Sequence, residues 1–85
     1  MIVHVPSPLL AYTQTKEIAA DGATLAQVFA DLERRYPGIR FRLVNEQGQL
    51  REHIKVFINQ QIAGDLSAAV QSTDVVRIIM AISGG

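Results

Sequence analysis

Apolar positions change period along this chain, and each change marks an element. Ile2-Val3-His4-Val5 alternates and is β-branched, which predicts a first strand stopped by Pro6 and Pro8. Leu9 to Tyr12 reads as a connection or short turn. Thr15-Lys16-Glu17-Ile18-Ala19 reads as a weaker second strand, pairing with the first as a hairpin, and Asp21-Gly22 as the next turn. The period then lengthens. Leu25, Val28, Phe29, Leu32 and Tyr36 fall three or four residues apart, the single apolar stripe of an amphipathic helix. Thr24 suits the N-cap, and Gln27 three residues on completes a capping box. Asp31, Glu33, Arg34 and Arg35 fall mostly on the other side, with both arginines in the last turn, where cations suit the helix dipole. Pro37-Gly38 ends the helix. The aromatic residues of the stripe read as core packing.

Beyond the helix the pattern is mixed. Ile39 to Arg51 predicts a loop with a short helical turn near residues 40–44, then a turn at Asn45-Glu46-Gln47-Gly48. Ile54-Lys55-Val56-Phe57-Ile58 predicts a strand, and Asn59-Gln60-Gln61 a turn in which Asn tolerates the left-handed conformation. Ile62 begins a short edge strand, Leu66 to Val70 a small turn or 3₁₀ segment, and Ser72-Thr73-Asp74 turns the chain once more. Val75 to Ile82 is apolar almost throughout, the pattern of a central strand covered by a helix. One helix on one mixed sheet makes an α+β two-layer roll. Its last strand is central only if it pairs beside the first, which is the ubiquitin-like topology.

Composition then removes functions. Eight basic residues balance eight acidic ones, and the only lysines are Lys16 and Lys55. A neutral domain lacks the electrostatic footprint of a nucleic-acid binder or of a protein held on an anionic membrane. The apolar stretches are shorter than the roughly 20 residues of a membrane span, and the N-terminus does not read as a signal peptide, so a cytoplasmic domain is expected. The absence of cysteine removes disulfides, thiolate nucleophiles and thiolate metal sites. His4 and His53 stand far apart and read as structural or surface residues. No phosphate loop, nucleophile elbow or HExxH helix is present.

What remains is the ending. Ser83-Gly84-Gly85 follows the last apolar run directly. Two glycines in the last two places arise by chance about one time in 200. Without Cβ atoms such a tail is thin enough to thread a narrow channel, and it ends in a carboxylate. The expected division is a domain over 1–82 and a flexible tail over 83–85.

These segments together resemble the MoaD/ThiS family of sulfur carriers. The matching residues are Thr24-Leu25-x-x-Val28-x-x-x-Leu32-x-x-x-Tyr36-Pro37-Gly38, Gly48-x-Leu50-Arg51, Val56-Phe57-Ile58-Asn59, Asp74-x-Val76 and Ala81-Ile82-Ser83-Gly84-Gly85. The resemblance implies a β-grasp roll with a sheet of four to five strands on one main helix. It also implies that an E1-like enzyme spends ATP to adenylate the Gly85 carboxylate. A persulfide or similar donor then displaces AMP and leaves a thiocarboxylate, which a sulfur-accepting synthase consumes. The chain itself would be a carrier with no tightly bound cofactor and no metal, and its activation must come from outside because it holds no nucleophile. Gly85 would carry the chemistry, with Gly84 in the tail. Phe57, Ile79, Met80 and Ser83 would contact partners, although strand alternation turns about half of such residues inward. Arg51 and Arg77 read as solvated charge, with acidic groups of a partner as the alternative.

Three pathways compete within the family. The favoured one is molybdopterin synthesis, with this chain as the synthase small subunit beside its large subunit. A cysteine-forming carrier, acting with a cysteine synthase-like enzyme, stands close behind. The thiamine carrier is disfavoured by the long Ile39–His53 segment. Met80 stands where many members have Pro, and Gln60-Gln61 departs from the usual residues after Asn59. Outside the carriers, a ubiquitin-like modifier joined through Gly85 to lysine and a plain binding module are the alternatives.

Overall fold

In the computed structural model, which describes residues 1–81, the alternating segments become strands of one mixed sheet. β1 (Ile2–His4) and β2 (Glu17–Ala19) form the expected hairpin, with Val3 opposite Ile18. The helix α2 (Leu25–Arg35) follows, then a shorter helix α3 (Ile39–Leu43). β3 (Ile54–Ile58), the two-residue edge strand β4 (Gln61–Ile62) and β5 (Val75–Met80) complete the sheet. The strand order is β2-β1-β5-β3-β4, with β5 parallel to β1 and antiparallel to β3. This is the ubiquitin-like β-grasp roll, with β5 at its centre.

The helix stripe does what its period predicts. Leu25, Val28, Phe29 and Leu32 are fully buried in one cluster with Val3, Ile54, Val56, Val76 and Ile78. Burying side chains of this size is worth about 1.5–3 kcal/mol each, which makes this cluster the main support of a small domain. Tyr36 packs on its border. Thr24 caps α2 by accepting from the Gln27 N–H at 3.3 Å. The return bond of the capping box lands one residue early, since the Gln27 side chain accepts from the Ala23 N–H at 2.8 Å. Two further helix-start donors, the N–H groups of Leu25 and Ala26, are taken by the carbonyls of Ala68 and Leu66. That is what the irregular 66–70 segment does: it lids the helix start and buries Val70.

Four expectations need correction. Leu9 to Tyr12 is a 3₁₀ turn (Ser7–Leu9) running into a short helix α1 (Leu10–Thr13), formed because Leu9 plugs the core. β2 begins at Glu17 rather than at Thr15. Asp31 does not face solvent: it is 8% exposed and ties α2 to the end of β2. Its carboxylate accepts from the Asp21 N–H at 3.1 Å and pairs with Arg34 and Arg35. The Asp21 bond, and then the two arginines, hold the Asp31 carboxyl below its ordinary value. Last, β5 ends at Met80, and the Ala81 N–H continues the pairing by donating to the His53 carbonyl at 2.8 Å. Ile82 and the expected tail 83–85 lie outside the described residues.

Candidate functional site

β5 is apolar in sequence on both sides, yet α2 covers only one. Val76 and Ile78 point into the core, whereas Arg77 and Ile79 are exposed on the opposite face. The register sets the residues of this open face in a row. Glu17, His4, Arg77, Phe57 and Ile62 lie side by side across the five strands in that order. Next to them Ile79 stands opposite Lys55. His4 and Glu17 approach at 3.6 Å. The face is therefore largely apolar toward β3 and β4 (Phe57, Ile62, Ile79) and polar or charged from Arg77 toward β2 (His4, Glu17), a mixture that suits a protein partner.

Of the residues singled out from sequence, Phe57 is half-buried and Ile79 is 39% exposed, and both belong to this face. Met80 turns the other way, opposite Ile54, and packs partly against the core. It also lines a groove of ≈ 370 Å³ whose other walls include Pro6, Pro8, Ile79 and Arg77. The groove exists because Pro6 turns the chain away into the 3₁₀ segment while β5 runs on. Ser83, Gly84 and Gly85 lie outside the described residues. Arg77 is central to the open face, whereas Arg51 sits at the end of the molecule where Ala81 leaves β5.

One polar clamp escaped the sequence reading. Asn59 takes the left-handed conformation expected of it, with φ 56°. Its side chain donates to Asp74 Oδ1 and accepts from the Val75 N–H, both at 3.0 Å. Asp74 in turn accepts from the Gln71 N–H at 2.8 Å, and that bond, followed by the one from Asn59, lowers its pKa. The β3–β4 turn is thus pinned to the start of β5. Asn59 and Asp74 were both in the matching segments, but their contact spans fifteen residues and leaves no periodic trace.

The fold defines a ubiquitin-like β-grasp domain. The chain belongs to the ThiS family, whose sequence model matches residues 3–85. It is 34% identical over 89 aligned residues to the sulfur carrier protein CysO of Mycobacterium tuberculosis, covering 98% of this chain and 96% of the relative. Among solved structures, a chain of the Amycolatopsis orientalis BexX/CysO complex superposes with a TM-score of 0.91 at 35% identity, covering 99% of this chain and 98% of that one. Mycobacterium tuberculosis CysO superposes at 0.89 with 32% identity, covering 95% and 98%. Among the described residues no helix is long and apolar enough to cross a membrane.

Proposed function

We propose that this protein is a sulfur carrier that works through the carboxylate of Gly85 and serves cysteine formation. One observation carries the reading: the chain aligns with the CysO sulfur carrier across nearly the whole of both sequences, at 34% identity. Molybdopterin synthesis, favoured on sequence alone, is set aside, because the relatives that match at this level are CysO proteins. The open sheet face fits the same role, since a carrier must be held by successive enzymes while its end is in their active sites.

In the proposed cycle a Gly85 carboxylate oxygen attacks the α-phosphorus of ATP on an E1-like enzyme, and pyrophosphate leaves. Hydrosulfide then attacks the acyl carbon, AMP leaves with its bonding electrons, and loss of the S–H proton leaves Gly85 as a thiocarboxylate. Where the nucleophile is instead a persulfide, a thiol must then reduce the acyl disulfide to release the same group. A cysteine synthase-like partner takes that sulfur. Apart from the Gly85 carboxylate itself, the carrier supplies no acid, base or nucleophile to these steps; it is a co-substrate that delivers one functional group.

Intact-mass spectrometry tests the reading. After incubation with the activating enzyme of the same organism, ATP and a sulfur donor, the chain should gain the mass difference between sulfur and oxygen, and removal of Gly85 should abolish the gain while leaving the circular dichroism spectrum unchanged. Retained conversion without Gly85 sinks the terminal-carboxylate reading. A stable amide to other proteins in place of the thiocarboxylate points to a modifier.

A further inference from the structure

Phe41 is 62% exposed, the most exposed large apolar side chain among the described residues. It stands on α3, whose Ile39 and Leu43 are fully buried, so the helix is anchored by those two while Phe41 is pushed outward. The guanidinium of Arg51 lies over the Phe41 ring, 4.6 Å from its centroid. Arg51 Nε also donates to the Phe41 carbonyl at 2.7 Å, and the Arg51 N–H donates to the Leu43 carbonyl at 2.9 Å. Backbone, Nε and ring face together hold this arginine in one pose. Its two Nη groups take no hydrogen-bond or ion-pair partner among the described residues. A guanidinium with its stem fixed and its fork free is preorganised for a carboxylate, because little side-chain freedom remains to be lost on binding.

The position of this pair gives it a role. Arg51 is two residues before His53, whose carbonyl receives the Ala81 N–H as the chain leaves β5. Residues 81–85 span at most roughly 17 Å of backbone, so an enzyme holding Gly85 must rest near this end of the molecule. Arg42 adds a second exposed cation on α3. Phe41 also lines a shallow groove with Glu33 and Glu46, and of these two carboxylates Glu33 is occupied by the N–H groups of Gly38 and Arg40.

Building on the sulfur-carrier reading, we infer that Phe41 and Arg51 form a second docking point for the activating enzyme, which meets them with an acidic side chain beside an apolar pocket. The point is separate from the open sheet face and lets the enzyme grip the carrier on both sides of the departing chain.

The test is steady-state thiocarboxylate formation with the activating enzyme, using wild type, Arg51→Glu, Arg51→Lys, Phe41→Ala and, as an equal charge change on the far side of the sheet, Lys16→Glu. Arg51→Glu should raise KM about tenfold or more with kcat nearly unchanged, and the penalty should shrink as salt is raised from low to about 0.5 M. Phe41→Ala, whose exposed side chain adds little to folding, should raise KM severalfold, and Arg51→Lys should fall between Arg51→Glu and wild type because Lys lacks the planar fork. Lys16→Glu should leave KM within about twofold of wild type. If wild type is converted and Arg51→Glu and Phe41→Ala match it, the docking point is wrong and the carrier reading stands. Equal losses in Arg51→Glu and Lys16→Glu also overturn it, as general charge attraction. If wild type is never converted, the carrier reading fails and takes this inference with it.

Discussion

Ile78 and Ile79 are neighbours on β5, yet one is 2% exposed and the other 39%. The first belongs to the face that α2 covers, and the second to the face that no element among the described residues covers. On the covered side burial is nearly complete and charge is confined to Asp31, which is tied by hydrogen bonds and two arginines. On the open side the row across the strands runs from polar and charged (Glu17, His4, Arg77) to apolar (Phe57, Ile62), with Arg77 at the join. One side is built for folding, the other is the face that the proposed function offers to a partner, and a single residue step along a strand moves a side chain from one side to the other.

The sharpest way to break this comparison is to truncate both isoleucines. Ile78→Ala should lower unfolding stability by about 2–5 kcal/mol, because it leaves a cavity in the buried core cluster. Ile79→Ala should cost roughly 1 kcal/mol or less in the same denaturant titration and instead weaken transfer with the activating enzyme. Equal stability losses would mean that the two faces do not differ as their exposure indicates.

Asp31 tests the covered side's one charge. Its folded pKa lies below the ordinary value of 3.8, so its contribution is present above that value and is lost as pH falls through the folded pKa. Asp31→Asn should reduce stability at pH 7 by about 1–2 kcal/mol, and the loss of melting temperature below pH 3.8 should be shallower than in wild type. An unchanged acid limb would show that Asp31 does not govern it. The smallest effect is expected at the margin between the faces. Asn59→Gly keeps the left-handed turn but removes both side-chain bonds, and should cost about 0.5–1 kcal/mol with local loss of hydrogen-exchange protection at Val75.

Much of this was legible beforehand for a physical reason. α2 and β3 carry strong local signals, a stripe at period 3.6 and a β-branched alternating run, and both lie where expected. The Asn59 turn was legible from its conformational preference alone. Asp31 was misplaced because its burial depends on a backbone N–H ten residues away, which no helical wheel contains. The same holds for the Asn59–Asp74 clamp and for the stacking of Arg51 on Phe41, whose members are ten and more residues apart. Leu9 to Tyr12 became helical because Leu9 had a place in the core, which a local propensity does not register.

By itself, then, the amino-acid order determined which segments are strands and helix, that one strand is far more apolar than the rest, and that no thiol, nucleophile elbow or phosphate loop accompanies the Gly84-Gly85 ending. These are properties of local period and residue chemistry. Only the tertiary structure decided that β5 has one covered face and one open face, that Phe57 shares the open one with Ile79 while Met80 does not, and that Arg51 comes to rest over Phe41 where the chain leaves the sheet. Those outcomes depend on register and on which layer is present to cover a surface, and a chain with one long helix can cover its sheet on one side only.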